Sequence, residues 1–307
     1  MAHTTPGNRI LGLLAAASGV VLVLSACGVK RTVSVPVPRK ILEARTATLD
    51  ELLKILEDRS AAVRSLSCNS LKITLTTGKA EGGQMEEYRS APGYVLVARP
   101  ASIRLNVQNP ISKTTILEVL SVGDDFSIWY PRENKFYTGE NSTREFDLGS
   151  ESGGRAFTFR PVHFLHAILP ETLDLDQPTA RVSMEEDQDS TAKYYVLSLF
   201  EETSLKDLMP LRRVWIERSR LLPVREKRFN ENGSVAGIVT YSDFVPNDGT
   251  ELPLGILIDR PADGYTLDMQ CRSWKLNPVF PENAFVMTPP AGAERVVLQP
   301  KPKGGDK

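Results

Sequence analysis

Of the 307 residues only three are cysteine and three histidine, so the side chains that most often hold metals or attack substrates are scarce. A catalytic zinc wants about three protein ligands. His163 and His166, at spacing i, i+3, share a helical face, but no third ligand lies near them in sequence, and His3 belongs to a leader segment. The formal net charge is -1, which offers no electrostatic case for nucleic acid. The chain has no glycine loop for phosphate, no dinucleotide fingerprint and no zinc ribbon. Gly149-Ser150-Glu151-Ser152-Gly153 has the frame of a nucleophile elbow, with Glu151 where the serine belongs. The acid runs Glu185-Glu186-Asp187 and Glu201-Glu202 fall at the ends of expected strands, where solvated turns are their usual place. Together these features argue for a chain that is not an enzyme and carries no cofactor and no metal.

The one long apolar run is at the start. Arg9 supplies a positive n-region, Ile10 to Leu24 an uncharged h-region, and Ser25-Ala26 small residues before Cys27, the order of a secretory signal. A membrane-spanning helix needs about 20 apolar residues, and this run ends sooner. Leu24-Ser25-Ala26-Cys27 also resembles the lipobox of bacterial lipoproteins. That resemblance implies cleavage of residues 1–26 and acylation of Cys27, so that the chain sits on a membrane without crossing it. Two or three acyl chains hold a protein on a bilayer where one does not. Removal of the leader takes away Arg9 and moves the formal net charge from -1 to -2. Residues 27–40 contain Val35-Pro36-Val37-Pro38 and no apolar period, which reads as anchor and extended linker.

Thr48-Leu49-Asp50-Glu51 has the form of a capping box. Leu49, Leu52, Leu53, Leu56 and Val63 then recur at the spacing of one helix face, with Lys54 and Asp58 paired on the other. From Cys68 the period becomes two: Leu71, Ile73 and Leu75 alternate with polar neighbours, and so do Ile103, Leu105 and Val107. Similar runs begin near residues 94, 114, 126, 181, 194, 211, 224, 235, 254 and 265. Asn232-Gly233 between two of them is the strongest hairpin signal in the chain. The pattern predicts an antiparallel meander, interrupted once by a short helix over Pro161–Pro170, with Val162, Leu165 and Leu169 at helical spacing. Cys271 shares the apolar parity of Leu267 and Met269, whereas Cys68 is in step with Ser70, Lys72 and Thr74. Two buried free thiols are therefore favoured over a Cys68–Cys271 bridge, although an oxidising compartment allows one.

A sheet with one consistently apolar face must be covered, and two helices can hardly cover ten or more strands. Either the sheet curls and fills its own interior, or it leaves an apolar cavity of the kind that holds lipid. Alternation alone leaves both open.

The order of segments resembles the bacterial lipoprotein-localisation (Lol) carrier and receptor family, LolA-like and LolB-like, with its outer-membrane lipoprotein-sorting relatives. The resemblance rests on SLSCNSLKITL (65–75), RPASIRLNVQNP (99–110) and VGDDFSIWYPRENKFYTG (122–139), followed by LPVREKRFNENGSVAGIVTYSDF (222–244), ELPLGILIDRP (251–261) and LNPVFPENAFVMTPPAGAERV (276–296). It implies a mainly β (α+β) fold, a curved antiparallel half-barrel of about ten to twelve strands wrapped round a few helices. One such domain is expected over 41–296, with a disordered tail at 297–307.

The concave cavity of such a fold accommodates acyl chains. The candidates at apolar parity are Ile103, Leu105, Val107, Ile128, Tyr130, Leu197, Leu199, Ile256, Ile258, Leu267 and Met269. The function implied is an anchored binder of lipid or lipoprotein acyl chains in envelope transport or assembly. Its partners are then the membrane, through acylated Cys27, and a periplasmic carrier protein. Gly28 is not the aspartate that retains lipoproteins at the inner membrane in the enteric pathway, so the expected location is the outer membrane, facing the periplasm. The alternatives are a periplasmic sensor or regulatory module of the same fold, which binds a protein, and a structural envelope lipoprotein.

Overall fold

A computed structural model describes residues 43–79, 84–143, 146–147 and 160–300. Cys27 and its flanking segments, Gly149 to Gly153, and the tail from 301 lie outside the described residues.

The first element is helix α1, Leu49–Ala62. It begins where its sequence says it should. Thr48 Oγ1 accepts from the Glu51 N–H at 3.3 Å, and the Glu51 carboxylate accepts from the Thr48 N–H at 2.7 Å, which satisfies two of the donors that a helix start leaves open. It ends at an extended Val63, where Asn277 closes the corner: its Nδ2 donates to the Ala62 carbonyl and its Oδ1 accepts from the Arg64 and Ser65 N–H groups.

Two meanders follow. The first is β1 (Ser65–Lys79), β2 (Gln84–Ala98), β3 (Ser102–Gln108), β4 (Thr115–Val122), β5 (Asp125–Tyr130) and β6 (Lys135–Glu140). After β7 (Phe146–Asp147) and helix α2 (Pro161–Ile168) comes the second: β8 (Ala180–Gln188), β9 (Lys193–Glu202), β10 (Leu208–Glu217), β11 (Leu222–Phe229), β12 (Val235–Asn247), β13 (Thr250–Arg260) and β14 (Tyr265–Cys271). The expected hairpin at Asn232-Gly233 joins β11 to β12, with Gly233 in the left-handed conformation (φ 77°) and its N–H donating to the Asn230 carbonyl. Strand β1 pairs with β14 as well as β2, so the two meanders merge into one fifteen-stranded sheet. The fold class is the expected one: mainly β, an open curved antiparallel sheet of many strands, with two α-helices among the described residues.

The chain then runs through β15 (Lys275–Leu276), which also pairs β1, and crosses the polar face of the sheet, where Arg104 donates to the Ala284 and Val286 carbonyls. It reaches β16 (Glu294–Val297), which lies parallel to β6, and β17 (Gln299–Pro300), which pairs β7. Residues 297–300, expected in a disordered tail, are thus ordered, because backbone pairing with β6 and β7 fixes a segment that has no alternation of its own.

The expectation of free thiols is corrected: Cys68 and Cys271 form a disulfide. Parity counting failed at a bulge. Opposite β2, Cys68 pairs Val95 and Leu71 pairs Gly93, so three steps on β1 match two on β2. The extra residue turns Leu66 and Cys68 to the same buried side as Leu71 and Ile73. Gly93 is required there, since a Cβ would stand 2.2 Å from the Asn106 carbonyl oxygen.

The inner face carries two apolar cores. The larger joins β1–β6, β13 and β14 under α2, whose Phe164, Leu165, Ala167 and Ile168 are buried in it. The smaller lies under α1: Leu52 and Leu56 pack on Tyr195, Leu197, Leu199, Val214 and Ile216 of β9 and β10. Each half of the sheet has its own helix.

Candidate functional site

Between the two cores lies a cavity of about 40 Å³. Its apolar walls come from both sides: Leu56 of α1, Leu66 of β1, Ile168 of α2, Val214 of β10, and Leu252 and Ile256 of β13. One pole is charged, formed by Arg59, Glu171, Arg212 and Glu226, with Tyr241 beside them. A site this size has room for about three water molecules, against the about 150 Å³ of an engineered cavity that binds one benzene. Around it the described inward-facing residues pack into the two cores.

The charged pole follows from parity. Arg212 alternates with Trp215-flanking neighbours so that it faces inward with Val214 and Ile216, while Arg213 and Trp215 face outward; Glu226 sits directly opposite Val214 on β11. Arg212 is only 9% exposed and Glu226 only 4%, so both must be paired to be tolerated. Arg212 Nη2 donates to Glu226 Oε2 at 2.5 Å, and its Nη1 donates to the Thr172 carbonyl at 2.7 Å. The other Glu226 oxygen accepts from Arg228 Nε at 2.6 Å.

Glu171, delivered by the end of α2, pairs with Arg228 and His166 and lies 3.6 Å from Arg212 Nη1. Burial alone would raise its pKa. The hydrogen bond from His166 and the charges of Arg228 and Arg212 overcome that and hold it at about 2. Burial raises the Tyr241 phenol pKa, with Glu226 adding to the effect. Both carboxylates are already taken up by cationic donors, and no Ser, Cys, His or Lys side chain lines the cavity among the described residues. The arrangement can bind a molecule with an apolar part and a polar end.

Two nitrogens remain over. Arg59, in the last turn of α1, donates through Nη2 to the Glu251 carbonyl at 2.8 Å, but its buried Nε has no hydrogen-bond partner among the described residues. The Nε of Arg212 is likewise buried and without one. Burial lowers the pKa of Arg59.

The sequence candidates are all inward-facing, but they are not one cluster. Ile103, Leu105, Val107, Ile128, Ile256, Ile258, Leu267 and Met269 are buried in the larger core, with Tyr130 half-buried against it, while Leu197 and Leu199 belong to the core under α1. Ile256 alone borders the cavity. The sequence reading did not single out the charged pole, since charged side chains ordinarily face solvent. The signal was present in Arg212-Arg213-Val214-Trp215-Ile216, where Arg212 keeps the parity of two buried residues. The two histidines diverge. His163 Nδ1 lies 3.4 Å from Tyr265 Oη, and burial, then Arg260 and Arg160, push its pKa down to about 2; His166 turns to Glu171. The acids of β8 serve the sheet surface, Glu186 pairing Arg218 and Asp187 accepting from the Trp215 indole.

No family model matches the chain, and no curated protein does. Among solved structures, a DUF1329 family protein from Desulfovibrio piger ATCC 29098 is similar over 78% of this chain and 98% of its own, at 11% identity and a TM-score of 0.50. The two share a fold. Its other neighbours include a LolA superfamily protein from Nitrosomonas europaea, at 14% identity over 79% of this chain and 99% of that one, with a TM-score of 0.47. A putative outer membrane lipoprotein-sorting protein domain from Vibrio parahaemolyticus matches 76% of this chain and 95% of its own, at 11% identity and a TM-score of 0.49. At such identities the likeness concerns architecture.

Proposed function

We propose that the chain is a membrane-anchored protein that binds lipid or lipoprotein acyl chains and serves envelope lipid or lipoprotein transport or assembly. The observation that carries this reading is the cavity between the two cores, apolar on its walls and charged at one pole, the complement of an amphiphile. In the closed form the site is nearly full. Binding is coupled to displacement of α1 or α2, each of which covers one half of the sheet, and the chain entering replaces the apolar contacts that the helix gives up. Such coupling lowers net affinity and lets the ligand pass on to a stronger acceptor. The anchor is acylated Cys27, joined through residues 27–40 to a single domain from residue 41, and the location is the periplasmic side of the outer membrane.

Native mass spectrometry of protein purified from membranes tests the reading. The expected result is acyl mass on Cys27, absent from Cys27→Ala, together with a co-purifying lipid. Protein that carries no lipid and binds no fluorescent fatty acid refutes it, and a stoichiometric protein partner in place of lipid favours the regulatory module. Recovery solely in the inner membrane on sucrose gradients refutes the location.

A further inference from the structure

We propose that the ligand of this cavity is an anionic amphiphile, whose carboxylate or phosphate head accepts from the buried Nε groups of Arg59 and Arg212 while its tail lies along the apolar wall. The inference rests on the acyl-binding reading and adds the charge of the head. Guanidinium nitrogens are donors only, and a buried donor without an acceptor is rare in folded proteins. Here two such donors line one cavity.

The charges point the same way. Three arginines, Arg59, Arg212 and Arg228, meet two glutamates, which leaves one cation in excess. Glu226 is occupied by Arg212 and Arg228, and Glu171 by Arg228 and His166. Among the described residues Arg59 reaches only a backbone carbonyl, that of Glu251, whose own carboxylate is paired with Arg220. A neutral head, such as an alcohol or an ester, can accept one hydrogen bond but leaves the surplus charge desolvated. An oxyanion does both, and its bonds to guanidinium are charge-assisted. Leu66, Ile168, Val214 and Ile256 line the same cavity, so the anion must carry an apolar tail.

The test is competition against a neutral environment-sensitive dye, using the full lipidated chain at a fixed concentration of non-ionic detergent. The competitors are dodecanoate, dodecyl phosphate, dodecanol and inorganic phosphate. One or both dodecyl anions should bind at least about tenfold more tightly than dodecanol, the scale of a hydrogen bond to a charged group. Which one does so distinguishes a fatty acid from a phosphorylated lipid, and either supports the proposal. Arg59→Gln should shrink the anion-to-alcohol ratio to below about twofold, and Arg59→Lys should restore part of it. Affinities are referred to free competitor, since alcohol and anion partition differently into detergent; that factor cancels between variant and parent, and Arg212, which holds the buried pair, is left intact. Equal binding of acid, phosphate and alcohol overturns the anionic head and leaves acyl binding standing. Binding of none of the three overturns both. Inorganic phosphate that competes as well as dodecyl phosphate also overturns the proposal, because the tail would then contribute nothing.

Discussion

Breaking the Cys68–Cys271 bond should destabilise the protein through its unfolded state. The two cysteines are 203 residues apart in sequence. A cross-link that closes so long a loop removes unfolded-chain entropy equivalent to about 5 kcal/mol on the chain-entropy scale, while measured losses on removing native disulfides run from about 2 to 5. The folded state changes little on reduction, since both residues are buried, Cys68 at 0% and Cys271 at 4% exposure, and a free thiol packs as a small apolar group. With a urea m-value of about 3 kcal/mol/M, even a loss of about 2 kcal/mol moves the midpoint down by about 0.7 M. The assay is urea unfolding with and without reductant, and of the Cys68→Ala/Cys271→Ala pair, in a Cys27→Ser background so that thiol titration reads zero oxidised and two reduced. Two free thiols in the untreated protein, or coincident curves after verified reduction, would refute the reasoning.

The pKa of His163 is held at about 2 against an ordinary 6.5, so the stability it contributes is complete above pH 6.5 and is lost as pH falls below it. One proton taken up only on unfolding costs about 2 kcal/mol between pH 7 and pH 5. His163→Gln should flatten that part of the urea-midpoint profile, and an unchanged slope rejects the assignment. Glu171, depressed from 4.5 to about 2, loses its contribution as pH falls between those values, where the loss from His163 also continues. Asn277→Ala removes three hydrogen bonds from a residue at φ 50° and should cost about 2 to 3 kcal/mol in thermal unfolding. Asn277→Gly, which relieves the backbone alone, should fall in between. Leu105→Asp buries an unpaired carboxylate in the larger core and should cost several kcal/mol. Ile256→Asp, beside the arginines of the cavity, should cost clearly less in the same assay, and equal losses would count against the charged pole.

Local rules carried most of the fold. The Thr48 capping box placed α1 because its signal is complete within four residues, and alternation placed the strands because inward positions such as Leu105 and Ile256 follow directly from a period of two. What failed was whatever depended on a distant partner. The bulge between Cys68 and Leu71 has no signature in Asn69-Ser70; it exists because β2 fixes a different count, and with it went the disulfide. Strand β16 is ordered by β6, far away in sequence, and nothing in Glu294–Val297 announces a parallel neighbour. Parity also says which side chains face inward but not which of them meet a void, so the cavity wall could not be told from ordinary packing. Arg212 and Glu226 hold inward parity, but parity alone does not tell a paired buried charge from one that turns to solvent.

The place of β1 in the sheet has a consequence for how the chain acquires its structure. Apart from β16 with β6, every neighbouring pair along the strand order joins consecutive strands, except β1 with β14. Consecutive hairpins close in about 1 to 10 microseconds. The pairing of Leu71 with Cys271 and of Leu75 with Leu267 must wait for the far end of the chain. At about 5 to 20 residues per second of synthesis, that end appears roughly 10 to 40 seconds after β1. During that time β1 offers an open edge rich in alternating apolar residues, the kind that pairs with other chains. Nascent or translocating chains should therefore need a holding chaperone chiefly for the first meander. The strand that finishes at the centre of the sheet is the one that waits longest for its second neighbour.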